Sequence, residues 1–286
     1  MKGQDSVTAV RVQCPVEESE RQYNLRAAFP SFPETRETWV QASRELIQSV
    51  APRVDLAYGD KPLQKLDYYA AKAGGPLLVF VHGGYWQGGD KADVGFMAGP
   101  YIAAGINVAV INYSLAPEAR VEEMVDEVRS ALVWLHAQAD ELNFNAQRIS
   151  LMGHSAGGHL ISMMVARVDT PAPEGMPAIV NLFPISGVFD VPPLLPSSIN
   201  TALGLDQPRA EALSPLAWPG PSDTYIHTFV GSGETEQFHR QSEALGRAWK
   251  VARHDSVPGT DHFTVLNVLA DASSEYTSAV IAVIKG

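Results

Sequence analysis

The chain has 286 residues, of which 45% are hydrophobic and 19% are charged. This composition can bury a large core and is not typical of disordered proteins. Its formal net charge of −11 argues against binding to nucleic acid or a membrane surface, because both rely on basic patches. The single cysteine, Cys14, excludes an internal disulfide and a cysteine metal cluster. The first residues lack the apolar stretch of a signal peptide, and no run approaches the roughly 18 apolar residues of a membrane span. We therefore expect a soluble cytoplasmic protein, and nothing in the sequence excludes a homodimer.

Residues 1–53 are more polar than the rest of the chain and hold no strong strand pattern. A short helix is predicted at residues 17–27, ended by Pro30 and Pro33. An amphipathic helix is predicted at residues 35–49, with one apolar stripe and charged residues elsewhere. We expect these residues to form an N-terminal arm packed over the main domain.

From residue 54 onwards, strand and helix patterns alternate. Such alternation predicts an α/β fold with a mostly parallel sheet covered on both faces, in one domain spanning residues 1–286. The first two strands, joined by a short turn, are expected to form an antiparallel hairpin at a sheet edge. Residues 188–221, rich in Pro and Leu, break the alternation and are predicted to form a cap insertion. The predicted strands are 54–58, 66–70, 76–81, 106–111, 149–152, 178–185, 224–230 and 252–257, and the predicted helices after residue 54 are 96–104, 121–139, 160–166, 238–249 and 276–284.

The central motif of the chain is Gly-x-Ser-x-Gly, with Gly153, Ser155 and Gly157. It follows an apolar strand and precedes a helical pattern, and such a sharp strand-to-helix turn exposes a serine hydroxyl as a nucleophile. Side chains at the two glycines would collide with neighbouring elements. An ordinary glycine-rich turn would have the same pattern, so the rest of the chain must supply what Ser155 needs.

A second glycine motif follows the 76–81 strand, where His82, Gly83 and Gly84 precede Tyr85 and Trp86. Adjacent glycines leave backbone N–H groups uncovered, and such donors stabilise the oxyanion of an acyl-transfer reaction. The predicted donors are the N–H groups of Gly83 and Gly84. Ala156, directly after the serine, is predicted to supply a third. His82 is interpreted as a structural residue that bonds the loop backbone.

The chain has eight histidines, and their positions in the predicted fold indicate which one is the general base. His262 follows the last predicted strand, and a parallel sheet presents the loops at its carboxyl ends on one edge. His262 and Ser155 should therefore share that edge, where His262 would accept the serine proton and later pass it to the leaving group. Packing or surface roles are expected for the other histidines, including His154 and His159 beside the serine.

The acid that orients His262 is predicted in the loop after the 224–230 strand. Glu234 is our first choice, in the chain order nucleophile, acid, histidine. Glu236 is the alternative, although an acid is also favourable in the first turn of the helix that follows. Asp261 directly precedes His262 and is interpreted as a residue that bonds its own loop.

The sequence resembles the kynurenine formamidase (arylformamidase) group of α/β-hydrolases, near the hormone-sensitive-lipase-like esterases. The resemblance covers most of the chain. Its strongest parts are His-Gly-Gly-Tyr-Trp at 82–86 and Gly-His-Ser-Ala-Gly-Gly-His at 153–159, with Tyr-Asn-x-Arg at 23–26 and Ser-Gly-Val-Phe-Asp at 186–190. It implies an α/β-hydrolase fold with Ser155, Glu234 and His262 as catalytic triad and with Gly83, Gly84 and Ala156 as oxyanion donors. The chain departs from the group at one position, because animal formamidases have aspartate where Glu234 stands.

These observations predict a metal-free serine hydrolase without a cofactor, acting on a small-molecule amide or ester with a small acyl group and an aryl leaving group. The alternatives are a general short-chain carboxylesterase and a non-catalytic ligand-binding protein on a hydrolase scaffold. Tyr85 and Trp86 are predicted to form the acyl side of the substrate pocket, although Trp86 could instead fill the core. Arg26 and Arg209 are the candidate anchors for a substrate carboxylate.

Overall fold

The computed structural model describes residues 11–168 and 172–286. The first ten residues of the predicted arm, where a signal peptide would lie, are outside the described residues. Among the helices described, none combines the length and the apolar character that a membrane crossing requires.

Eight strands form a single sheet. They are β1 Arg53–Ala57, β2 Lys65–Tyr69, β3 Gly75–Val81, β4 Asn107–Ile111, β5 Phe144–His154, β6 Ile179–Ile185, β7 Tyr225–Gly231 and β8 Arg253–Val257. The strand order is β1-β2-β4-β3-β5-β6-β7-β8. The β1–β2 and β2–β4 pairs are antiparallel, whereas the five other pairs are parallel. The predictions of a mostly parallel sheet and of an antiparallel hairpin at its edge are confirmed.

Thirteen α-helices are seen in the described residues. They are α1 Val16–Tyr23, α2 Leu25–Ala28, α3 Phe32–Val50, α4 Lys91–Val94, α5 Gly99–Ala103, α6 Val121–Ala137, α7 Ala139–Leu142, α8 Ala156–Val165, α9 Asn200–Leu203, α10 Gln207–Ala212, α11 Glu236–Ala248, α12 Val265–Leu269 and α13 Glu275–Lys285. Three 3₁₀ turns lie at Gly95–Ala98, Pro192–Leu194 and Pro215–Ala217.

The sheet separates two hydrophobic cores, as the alternation of side chains along a strand requires. In β3, Leu77 and Val79 face the first core, to which α6 and α8 contribute. Leu78 and Phe80 face the second core, to which α3, α5, α12 and α13 contribute. All seven residues of β3 are buried, which explains its uninterrupted apolar sequence.

Several helix boundaries differ from the predictions, and the helix predicted at residues 17–27 is divided at Asn24 into α1 and α2. Residues 96–104 do not form one helix, because Pro100 cannot donate a hydrogen bond back into the preceding 3₁₀ turn. The predicted helix 121–139 is divided into α6 and α7 at Gln138. Pro33 does not lie in a break, because it occupies the first turn of α3, where a missing N–H loses no partner.

The insertion at residues 188–221 contacts the arm. The Ser19 hydroxyl donates to the Pro193 carbonyl at 2.6 Å. The Glu20 carboxylate accepts hydrogen bonds from the backbone N–H and the hydroxyl of Ser198, at 2.7 and 2.9 Å. Because the insertion follows β6 at its carboxyl end, these contacts bring the arm to the sheet edge where the candidate site residues lie.

Candidate active site

Ser155 occupies the turn between β5 and α8. Its backbone has φ 55° and ψ −117°, a conformation that non-glycine residues rarely adopt. A Cβ at Gly153 would lie 2.4 Å from the Gly157 carbonyl oxygen, and a Cβ at Gly157 would lie 2.0 Å from that of Val81. Both positions therefore require glycine. The turn is held by the Ser155 N–H, which donates to the Ile185 carbonyl at 2.8 Å.

His262 lies beside this turn, in the loop between β8 and α12. His154 Nε2, from the residue before the serine, donates to the His262 carbonyl at 2.7 Å. The centroids of the two imidazole rings are 4.8 Å apart. The structure thus brings the predicted base to the exit of β5, as the position of its loop at the sheet edge predicts.

Ser155 and His262 are both almost fully buried, with exposed fractions of 2% and 1%. The described chain shows no hydrogen bond between the Ser155 hydroxyl and the His262 ring. Hydrogen bonds of this kind are often long before substrate binds and tighten in the reacting complex.

Glu234 is the carboxylate that contacts His262. Its Oε2 accepts a hydrogen bond from His262 Nδ1 at 2.7 Å. Its Oε1 accepts from the Gly231 N–H at 2.7 Å and from the Ser186 hydroxyl. The Glu234 side chain has no exposed surface. A buried carboxylate with three donors is held in one orientation.

Glu236, the alternative acid, lies elsewhere. It is the first residue of α11 and pairs with Arg240 at the surface. Asp261 bonds its own loop, because its Oδ1 accepts from the backbone N–H groups of Phe263 and Thr264 at 2.9 and 2.7 Å. Of the three candidate acids, only Glu234 contacts the His262 ring.

Two further histidines near the serine are buried and bonded to the backbone. Burial and the nearby His262 ring hold the pKa of His154 well below its usual range. His159 Nε2 donates to the Leu213 carbonyl at 2.7 Å, and burial lowers its pKa to about 4. Both rings are therefore neutral at pH 7 and occupied by structural contacts.

The loop after β3 lies against the serine turn. A Cβ at Gly83 would lie 3.0 Å from Ser155 Cβ, and Gly84 has φ +113°. The N–H groups of Gly83 and Gly84 make no hydrogen bond to the described residues. Ala156 is the first residue of α8, where N–H groups lack intrahelical partners. His82 Nδ1 donates to the Gly83 carbonyl at 2.7 Å.

Tyr85 and Trp86 differ in what they contact. Trp86 has no exposed surface, packs in the first core and donates its indole N–H to His159 at 3.3 Å. These contacts favour the alternative that the sequence left open for Trp86, a residue that fills the core. The Tyr85 hydroxyl donates to the Tyr23 carbonyl of the arm at 2.7 Å.

The arm contacts residues that adjoin the glycine loop after β3, Glu234 and His262. Besides the Tyr85 contact, the Thr235 hydroxyl donates to the Gln22 carbonyl at 2.8 Å, next to Glu234. The Phe29 ring packs edge-on against Phe263, next to His262, with centroids 6.0 Å apart. Residues 22–29 therefore border the candidate site.

The two candidate anchors for a carboxylate are not equivalent. The Arg209 guanidinium is bound by both oxygens of Glu122, at 2.7 and 2.8 Å. Its charge is therefore already neutralised, which removes it as an anchor. Arg26 is exposed on α2, within the arm segment that borders the site.

Sequence reasoning missed two residues as parts of the site. The sequence presents Ser186 only within the Ser-Gly-Val-Phe-Asp motif, although its position after β6, at the same sheet edge, is a signal that could identify it. Gln241 is fully buried; its amide N–H donates to the Tyr23 hydroxyl at 2.9 Å, and its carbonyl accepts from the Phe189 N–H at 2.8 Å. Gln241 thus links the arm to the start of the insertion.

Comparisons with known proteins agree with this fold. A family model described as BD-FAE matches residues 66–180. The crystal structure of a Silicibacter sp. TM1040 protein described as a thioesterase superposes with a TM-score of 0.83 at 32% identity, covering 94% of this chain and 99% of that one. An esterase of Thermogutta terrifontis shares the fold, with a TM-score of 0.62 at 20% identity over 81% of this chain and 92% of that one.

The fold and these relatives define the protein as an α/β-hydrolase, a hydrolytic enzyme. The kynurenine formamidase of Salmo salar is 30% identical over 84% of each chain. That of Danio rerio is 30% identical over 81% of each chain. The chain therefore belongs to the kynurenine formamidase family.

Proposed function

We propose that the protein is a serine hydrolase in which Ser155 is the nucleophile, His262 the general base and Glu234 the acid that orients His262. The observation that supports this most is the buried 2.7 Å hydrogen bond between His262 Nδ1 and Glu234, beside a serine held in a strained turn. Because Nδ1 donates to Glu234, the lone pair of Nε2 is left to accept a proton.

The reaction proceeds through an acyl-enzyme. His262 Nε2 takes the proton of the Ser155 hydroxyl as Oγ attacks the carbonyl carbon of the substrate. The protonated ring then gives that proton to the leaving nitrogen or oxygen as its bond to the carbonyl carbon breaks. Water, deprotonated by the same ring, attacks the acyl-serine, releases the carboxylic acid and restores the serine.

The oxyanion formed in each half-reaction is bound by the N–H groups of Gly83, Gly84 and Ala156. The uncommitted N–H groups of the two glycines beside Ser155 support this assignment. Loss of one such donor typically costs about 3 kcal/mol of transition-state stabilisation.

The substrate is a small acyl amide or ester with an aryl leaving group, such as N-formylkynurenine. The family supports this class, and so does the aromatic character of the arm where Phe29 meets Phe263. Arg26, exposed on the arm, is the remaining anchor for a carboxylate on the leaving group. A general short-chain carboxylesterase would use the same serine, base and acid and differ only in the substrates that it accepts.

A panel of formyl, acetyl and butyryl p-nitrophenyl esters and anilides, assayed beside N-formylkynurenine, tests the substrate class. We expect turnover to fall from formyl to butyryl and N-formylkynurenine to be cleaved. Equal turnover of the short esters with negligible N-formylkynurenine cleavage would instead identify a carboxylesterase.

Ser155→Ala tests the nucleophile, with a predicted loss in kcat of roughly 10⁴-fold or more on every substrate. Ser162→Ala is the matched control, because Ser162 is a buried serine of α8, the helix that follows Ser155, and its hydroxyl bonds the Gly158 carbonyl. Unchanged turnover in Ser155→Ala would disprove the proposed mechanism.

A further inference from the structure

Ser186 is held in an unusual backbone conformation beside Glu234. It directly follows β6 and has φ +51°, in the left-handed region that disfavours residues with a Cβ. Its N–H donates to the Phe229 carbonyl of β7 at 2.8 Å, so its position is set by two adjacent strands. Ser186 is fully buried.

The Ser186 hydroxyl has one hydrogen bond, and it goes to Glu234 Oε1. The Gly231 N–H donates to the same oxygen at 2.7 Å, while Oε2 accepts from His262. Oε1 is therefore fixed by two donors of the protein, and Oε2 faces the imidazole of His262.

Glutamate makes such fixation necessary. Its side chain has one more rotatable bond than aspartate, so its carboxylate can adopt more orientations towards His262. A glycine at position 186 would remove the backbone strain but would also remove the hydroxyl. The strained serine is thus best explained by what its hydroxyl does to Glu234.

We propose that Ser186 is a positioning residue for catalysis, whose hydroxyl fixes the Glu234 carboxylate in the orientation that aligns His262. This rests on the proposed function, because it assigns Ser186 a part in the action of that triad. Ser186 touches neither substrate nor the reacting atoms and acts only through Glu234.

Ser186→Ala and Ser186→Gly test the proposal, because both delete the hydroxyl and only the second also relieves the left-handed conformation. We expect kcat to fall roughly 10- to 100-fold in both variants, with KM within about twofold, the range for losing one charge-assisted hydrogen bond. The Tm of Ser186→Gly should be higher than that of Ser186→Ala, because glycine relieves the left-handed strain. Similar losses of kcat in both variants would then reflect the missing hydroxyl and not a loss of stability. Ser162→Ala, the matched buried serine, should keep kcat within about twofold.

The pH profile separates positioning from a merely structural role. With one donor fewer, the negative charge of the Glu234 carboxylate is less well stabilised, which alters the hydrogen bond that it accepts from His262. The pH dependence of kcat/KM should then differ from that of the wild type in both Ser186 variants. The other titratable groups facing this pair, His154 and Tyr85, are unchanged by the substitution.

Two outcomes would overturn the proposal: a kcat within twofold of wild type with an unshifted pH profile, or a kcat loss in Ser186→Ala that Ser186→Gly restores. Either outcome leaves the triad intact if Ser155→Ala is inactive. An active Ser155→Ala would instead disprove the proposed function itself, so the two failures are distinguishable.

Discussion

Glu234 and Glu236 are two residues apart, yet their surroundings differ completely. Glu234 is buried and holds three hydrogen-bond donors around its carboxylate, whereas Glu236 is exposed at the start of α11 and pairs with Arg240. A buried, fully bonded carboxylate can orient an imidazole, whereas an exposed ion pair contributes little even to stability. The two candidate acids are both glutamates, and they differ in burial and in hydrogen-bond partners.

We expect Glu234→Ala to lower kcat by roughly 10³- to 10⁴-fold, because His262 loses the partner that fixes its tautomer and orientation. Glu236→Ala is the matched control and should stay within about twofold of wild type. Steady-state kinetics on a formyl ester, with circular dichroism to check folding, measures both. A larger loss in Glu236→Ala than in Glu234→Ala would show that the acid is misassigned.

At the scale of elements, side chains of the main domain hold the arm along one side of the candidate site by hydrogen bonds. Tyr85 and Thr235 bond the carbonyls of Tyr23 and Gln22, respectively. Gln241 bonds the Tyr23 hydroxyl from α11. Tyr23 is also fully buried in the first core, so the arm is held by apolar packing as well as by these hydrogen bonds.

Tyr85→Phe removes the hydrogen bond to the Tyr23 carbonyl and keeps the aromatic ring. Since one such hydrogen bond contributes about 1 kcal/mol, we expect amide hydrogen exchange in residues 22–29 to increase roughly fivefold. The KM for substrates with an aryl leaving group should rise by a similar factor. Tyr58→Phe is the control, because the Tyr58 hydroxyl bonds the Asn112 carbonyl at 2.6 Å, away from the arm. Equal amide hydrogen exchange of residues 22–29 in the two variants would show that the Tyr85 hydroxyl does not hold the arm.

The same scale shows how far the sequence alone could predict the structure. Each of the eight strands overlaps a predicted strand. The buried parallel strands are continuous apolar runs, whereas β1 and β8 are largely exposed and are predicted from short strand-like runs beside turns. The sheet-edge rule also placed Ser155 and His262 together. The sequence could not decide between the core and the pocket for Trp86, and it could not predict the contact of Ser186 with Glu234, since both depend on residues 73 and 48 positions away in the chain. The sequence favours Glu234 but leaves Glu236 open, because separating the two depends on where α11 begins.

For the molecule as a whole, buried neutral histidines should make stability depend on pH. Burial lowers the pKa values of His82, His154 and His159, that of His159 to about 4. An unfolded histidine has a pKa near 6.5, so between about pH 6.5 and pH 4 the unfolded chain binds more protons than the folded one. The stability is therefore complete above this window and is lost as the pH falls through it.

We expect His159→Gln to flatten this dependence, because glutamine retains a donor for the Leu213 carbonyl but does not titrate. At about 1.4 kcal/mol per pKa unit, the wild-type protein should lose about 3 kcal/mol more unfolding free energy than the variant between pH 7.5 and pH 4. Urea unfolding at a series of pH values measures this difference, and carboxylates that titrate in both proteins cancel from it. His136→Gln, which changes a partly exposed histidine of α6, should retain the wild-type slope. Parallel pH dependences for wild type and His159→Gln would show that the buried His159 ring does not drive the acid sensitivity.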